Sequence, residues 1–95
     1  MTGMGRSSDG LDSRRRRLLF RSWHRGIREM DLILGRFADA VIAELSDAEL
    51  DDYERLMERP DPELYAWISG ELPVPRDYDT GMFRRLRTFH SADPA

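Results

Sequence analysis

The apolar residues of this 95-residue chain recur every three or four positions, and nowhere do they alternate with polar ones as a strand requires. Met30, Leu34, Phe37, Val41 and Leu45 form one stripe, widened by Ile33, Ala38 and Ile42. That spacing lines one face of a helix and predicts a long helix over about residues 28–45. Leu19, Trp23 and Ile27 carry the same period. They predict an earlier helix, capped by Asp12 or Ser13 and running to about Trp23 or Arg25.

Three more helices follow. The segment "SDAE" at 46–49 is a capping box: the Ser46 hydroxyl accepts from the Glu49 amide while the Glu49 carboxylate reaches back. It opens a third helix with Leu50, Tyr53, Leu56 and Met57 on its buried face. In "RPDPELYAWISG", Asp61 is the expected cap, Pro62 the first helical position and Gly70 the terminator. Leu64, Tyr65, Trp67 and Ile68 make the apolar side. "ELPVPRD" reads as an extended linker, because its prolines forbid a helix. Residues 79–90 form a last helix through Met82, Phe83, Leu86 and Phe89. The expected fold is all-α, a compact five-helix bundle. The expected organisation is a disordered Gly/Ser/Asp-rich tail over residues 1–12, one helical domain over 13–90 and a flexible C-terminus over 91–95.

Composition excludes several functions. There is no cysteine, so disulfides, thiolate metal sites and cysteine nucleophiles are ruled out. The two histidines, His24 and His90, lack metal-binding spacing. A Walker-type phosphate loop needs a lysine, and every one of the 15 basic residues is arginine. No apolar run is long enough for a membrane span, and none reads as a signal-peptide core. Ser22 beside His24 makes no catalytic dyad, because neighbours on a helix point apart; it is expected on the surface. Asp51 and Asp52 read as a solvated face.

The net charge of -3 hides a division. Arg14, Arg15, Arg16, Arg17, Arg21, Arg25 and Arg28 fall in a stretch with no acid between positions 14 and 28. Residues 44–63 carry nine acids against Arg55 and Arg59. Two binding classes fit. An arginine-rich helix can line a phosphate backbone, which makes a small nucleic-acid-binding protein the physical rival. Against it stand the acidic net charge, the acidic middle and aromatics spaced for a core. A protein–protein module is the other class, with guanidinium forks recognising carboxylates.

The junction "RSWHRGIREMDLILGRFAD" at 21–39 is the sharpest signal. A glycine inside a helix costs about 1 kcal/mol relative to alanine, so Gly26 marks either a turn between helices or a place of close approach by another backbone. In "HRGIREMD" the spacing Arg25, Gly26, Glu29 resembles the R-G-x-x-E signature of the bacterial SdhE family, the flavinators of succinate dehydrogenase, also called its FAD assembly factors. "LLFRSWHRGIREMDLILGRFAD" is similar to alphaproteobacterial members, and "LSDAELDDYERLMERPDPELYAWISGELPVP" to the family's later helices. The likeness covers about residues 14–90.

This resemblance implies a five-helix bundle that is not an enzyme and holds no cofactor of its own. Members of the family bind the flavoprotein subunit of succinate dehydrogenase, and in some bacteria that of fumarate reductase. They promote covalent attachment of FAD to a histidine of that client. Arg25, Gly26 and Glu29 are thereby implied at the client interface, with Arg21, His24, Arg28 and Asp31 extending it. The position of His24 is often basic in the family, so this motif's positive charge is weaker near neutral pH. The expected state is a cytoplasmic monomer in a one-to-one client complex, with no nucleic-acid partner and no membrane insertion.

Overall fold

The structure, a computed structural model, describes residues 7–92. They contain five α-helices and two single-turn 3-10 segments, and no strand occurs among them. The expected helix count and class are therefore present. The chain falls into two compact units, one ending at Leu45 and the other starting at Ser46. Of the expected tail, residues 1–6 lie outside the described residues, as do 93–95 at the other end. In between, Asp9 and Gly10 form a turn, with the Leu11 amide donating to the Ser8 carbonyl at 3.2 Å.

The first unit is a helical hairpin of α1 (Ser13–Trp23) and α2 (Arg28–Val41), closed by a 3-10 turn at Ile42–Glu44. Its core holds Leu18, Leu19 and Trp23 from α1 against Met30, Leu34, Phe37 and Ala38 from α2, with Ile42 and Leu45 after it. The tightest contact is Trp23 on Gly35. A Cβ built on Gly35 would lie 2.2–2.6 Å from three carbons of the indole. The Trp23 Nε1–H donates to Asp39 Oδ1 at 3.1 Å, so the ring keeps a partner for its only polar atom as it is buried.

Two expectations fail here. Ile27 is not a third member of the α1 stripe; it sits outside the helix and is 48% exposed, because the chain has already turned. Ser22 is not on the surface but wholly buried, its hydroxyl donating to the Leu18 carbonyl at 2.7 Å. Bonding back to the preceding turn lets a hydroxyl enter a core without an unmet donor.

The second helix also ends sooner than the apolar stripe. α2 stops at Val41, yet Ile42 and Leu45 remain buried. Arg15 supplies the reason. Its Nε–H donates to the Ile42 carbonyl at 3.0 Å, and its Nη2 donates to the Leu45 carbonyl. The last carbonyls of a helix lack intrahelical partners, and here a guanidinium from α1 satisfies carbonyls of the closing turn. Arg15 also pairs with Asp12 at 2.9 Å, and this hydrogen bond holds the Asp12 carboxyl below its ordinary value.

The second unit comprises α3 (Asp47–Met57), α4 (Asp61–Ser69) and α5 (Gly81–Ala92). The capping box at α3 forms as the sequence predicts: the Glu49 amide donates to Ser46 Oγ at 3.1 Å and the Ser46 amide to Glu49 Oε1 at 2.9 Å. The other oxygen of Glu49 accepts from Arg85 Nη1 of α5 at 3.1 Å. At α4 the cap is Pro60, not Asp61. The Leu64 amide donates to the Pro60 carbonyl at 3.0 Å, which makes Asp61 the first helical residue. Gly70 ends the helix in the left-handed region at φ 84°. The linker is only partly extended: Arg76–Tyr78 make a 3-10 turn that sets Tyr78 against Trp67, ring centroids 5.2 Å apart, with the Arg55 guanidinium over the tyrosine at 4.8 Å. Thr80 caps α5, its hydroxyl accepting from the Phe83 amide at 3.1 Å.

Two predictions follow from this packing. Gly35→Ala forces a methyl into the Trp23 ring and is expected to destabilise by about 1–3 kcal/mol, a fall in Tm of several degrees by calorimetry. Combining it with Trp23→Leu, which vacates that space, should cost less than the sum of the two single changes. The acid limb of stability reports Glu49. The Ser46 amide, then Arg85, holds the Glu49 carboxyl below its ordinary value of 4.5. A carboxyl depressed in the folded state stabilises above its unfolded pKa, and that stabilisation is lost as pH falls through the folded value. Glu49→Gln should therefore lower Tm at neutral pH, and its difference from wild type should shrink below about pH 4.

Candidate functional site

His24 to Ile27 connect α1 and α2. α1 does not end on Gly26; its C-cap is His24, at φ -131° and ψ 50°, with the cap amide donating to the Arg21 carbonyl at 3.3 Å. Gly26 lies two residues further on, at φ 97°. Apart from its two chain neighbours, no residue lies within 4 Å of a Cβ built there. Gly26 is thus required by its backbone angle, which L side chains rarely adopt, and not by crowding within this chain. The outer side of the turn is open.

Asp31 fixes the turn from inside. Its Oδ1 accepts from the Arg25 amide, and its own amide donates to the Ile27 carbonyl at 2.9 Å, the first bond of α2. The carboxylate ties the loop back over the start of the helix, where negative charge is favoured by the helix dipole. His24 is held by Phe20. Its Nδ1 lies 2.7 Å from the Phe20 carbonyl, and the two rings stack with centroids 3.9 Å apart and planes 15° apart.

The seven residues singled out in the sequence thus come together on the last turn of α1, the loop and the first turns of α2, all in the first unit. Arg21, His24, Gly26, Arg28 and Glu29 are exposed, while Arg25 and Asp31 are half-buried. Among the described residues Arg21, Arg28 and Glu29 take part in no ion pair. Asp31 differs from the others: its carboxylate is used within the turn, so it positions Arg25 and Gly26. Sequence reasoning passed over Phe20, which is 57% exposed. The available signal was its place off the Leu19–Trp23 stripe. Gly35 was also passed over, although a glycine in mid-helix opposite a tryptophan is a packing signal.

The chemistry open to this turn is recognition. Ser22, the nearest hydroxyl in α1, is buried and bonded. Among the described residues no group of three or more His, Asp or Glu could hold a metal ion. The turn offers exposed guanidinium forks, one exposed carboxylate and backbone accessible at a glycine, which together can hold carboxylates and peptide groups of another chain in a fixed register.

An all-helical protein with an exposed R-G-x-x-E turn between its first two helices is the class this geometry defines. The chain belongs to the family described as the flavinator of succinate dehydrogenase, whose sequence model matches residues 16–90. It is 45% identical over 82 residues to the FAD assembly factor SdhE of Acetobacter pasteurianus, an alignment covering 86% of this chain and 75% of that one. It is 34% identical over 84 residues to the mitochondrial succinate dehydrogenase assembly factor 2 of Dictyostelium discoideum, covering 88% of this chain and 60% of that protein. The corresponding factor of Scheffersomyces stipitis is 44% identical over 69 residues, covering 73% of this chain and 46% of the other. The chain thus spans about half to three-quarters of the length of these relatives. No helix of the described residues is long and apolar enough to cross a membrane.

The internal role of Asp31 is testable. Asp31→Ala removes the acceptor for the Arg25 amide and should cost about 1 kcal/mol. Hydrogen exchange at the Arg25 amide should accelerate, and Asp31→Asn, which keeps an oxygen in place, should restore much of the protection.

Proposed function

We propose that this protein docks through the α1–α2 turn on the flavoprotein subunit of succinate dehydrogenase and promotes covalent attachment of FAD to a histidine of that subunit. The observation that carries this reading is the Arg25–Gly26–Glu29 turn, in which Gly26 and Glu29 are exposed and Glu29 is in no ion pair among the described residues, in a chain of the flavinator family. The relatives, an FAD assembly factor and a succinate dehydrogenase assembly factor by name, support it.

In this mechanism the factor is not an enzyme and carries no cofactor of its own; FAD resides on the client. The factor binds an FAD-loaded client that has not fully closed, and it binds that state better than the others. Differential affinity shifts the client's population towards the arrangement in which histidine and flavin are correctly placed. The client's own groups then carry out the attachment. Gly26 exposes backbone for close approach, while Arg25, Arg28 and Glu29 set the register, with Arg21 and His24 at the edge. The complex is one-to-one, and a fumarate reductase flavoprotein of the same construction would be a second client.

The test is covalent flavin fluorescence of the client subunit on a denaturing gel, with the subunit produced alone, with this protein, or with its Glu29→Ala variant. Wild type should strengthen the band, and the variant should give only the level seen without a factor. Its circular dichroism and Tm should match wild type, since Glu29 is exposed. Equal bands in all three samples would overturn the reading and return the arginine-rich helix to the nucleic-acid hypothesis, tested by a salt-dependent DNA titration.

A further inference from the structure

The α1–α2 turn accounts for one end of α1 but leaves the rest of its outer face without a role. That face is divided cleanly from the core. Leu18, Leu19, Ser22 and Trp23 are buried, whereas Arg16, Arg17, Phe20 and Arg21 are exposed and form one open surface patch. Phe20 is 57% exposed, which is unusual for a residue with so much apolar area to bury. Its ring is steadied by stacking on His24, so the phenyl is presented in one orientation. A preorganised aromatic loses little entropy when a partner covers it.

The charge around Phe20 is uncompensated. Among the described residues Arg16, Arg17 and Arg21 have no ion pair, and no acid lies between positions 14 and 28. Arg15, one position along the same run, shows the contrast: its guanidinium is taken up by Asp12 and two backbone carbonyls. The run therefore splits by helical phase into an arginine that closes the fold and arginines that surround an exposed aromatic. Arginine forks around a phenyl match carboxylates flanking an apolar side chain.

We infer that the outer face of α1, centred on Phe20 with Arg16 and Arg17, is a second docking surface that takes an acidic segment of the flavoprotein client bearing an apolar anchor. This inference rests on the proposed function and extends it. Arg21 and His24 are common to both surfaces, so the face is continuous with the turn. The turn sets the register, and the α1 face supplies steering and hold. An acidic protein segment is favoured over an anionic membrane because the apolar part of the face is a single side chain, Phe20, too little to insert among lipids.

The experiment is a binding titration of the full chain with the FAD-loaded flavoprotein subunit at low and high salt. It compares wild type, Phe20→Ser, the double variant Arg16→Glu/Arg17→Glu, and Glu29→Ala, with circular dichroism confirming the fold of each. Phe20→Ser is expected to weaken binding about tenfold, and the double variant at least as much, with a shallower salt dependence than wild type. Client affinity equal to wild type in both Phe20→Ser and the double variant would overturn the inference, and wild-type binding in the same titration would leave the proposed function standing. Absence of wild-type binding would overturn both. Vesicles of phosphatidylglycerol and phosphatidylcholine provide the remaining arm. Vesicle binding that these substitutions abolish, with client binding unchanged, would assign the face to a membrane and sink the proposal.

Discussion

The seating of Trp23 on Gly35 is the contact on which the first unit depends. It is possible only because position 35 has no side chain: a Cβ there would overlap the indole. Close approach at that point brings the end of α1 onto the middle of α2 and lets Nε1 of the indole reach Asp39. Four residues, His24 to Ile27, reverse the chain, with Gly26 in the left-handed region.

Polar groups in the first unit divide by where their charge is satisfied. Arg15 spends its guanidinium on Asp12 and on the carbonyls that end the second helical segment. Asp31 spends its carboxylate on the Arg25 amide, and Asp39 accepts from the indole. These groups make the hairpin rigid. Arg16, Arg17, Arg21, Arg28 and Glu29 point their charge outward, where an isolated charge in water costs little and a complementary partner gains specificity. Satisfied polar groups beneath and unpaired charge above give this face a supported, outward-facing set of charges.

Most of the helical organisation was legible because it follows from short-range rules. Helical spacing of Met30, Leu34 and Phe37, the Ser46–Glu49 box and the Gly70 terminator each depend on residues within a few positions, and each appears as expected. The failures have separate causes, one of them a distant partner and the others local bonding that apolar spacing does not register. α2 ends before its apolar stripe does, where an arginine about 30 residues earlier takes the following carbonyls. Ser22 is buried because its hydroxyl can bond within its own helix. Asp61 loses the cap to Pro60, whose extended backbone already aims its carbonyl along the helix. Ile27 keeps the right spacing on paper but follows a turn, so its phase no longer counts. The family resemblance is borne out by the match over residues 16–90, and the R-G-x-x-E spacing marked the turn between α1 and α2. What the spacing did not convey was that Asp31 faces inward while its neighbours face outward.

Gly26 carries two explanations that can be separated physically. Its φ of 97° is reason enough for a glycine, and conformational strain alone would make any substitution there harmful to folding. Yet apart from its two chain neighbours, no residue comes within 4 Å of where a Cβ would project, so no other part of the fold fills that space. A turn that needed glycine only for its angle could be covered by a neighbouring side chain, as most surface turns can. Here Gly26 is itself exposed, and the exposed charges of Arg28 and Glu29 follow at the start of α2. A substitution at Gly26 therefore confounds folding with recognition, whereas Glu29, exposed and in no ion pair among the described residues, isolates recognition. Glu29, and not the glycine, is therefore the position at which recognition by the turn separates from folding.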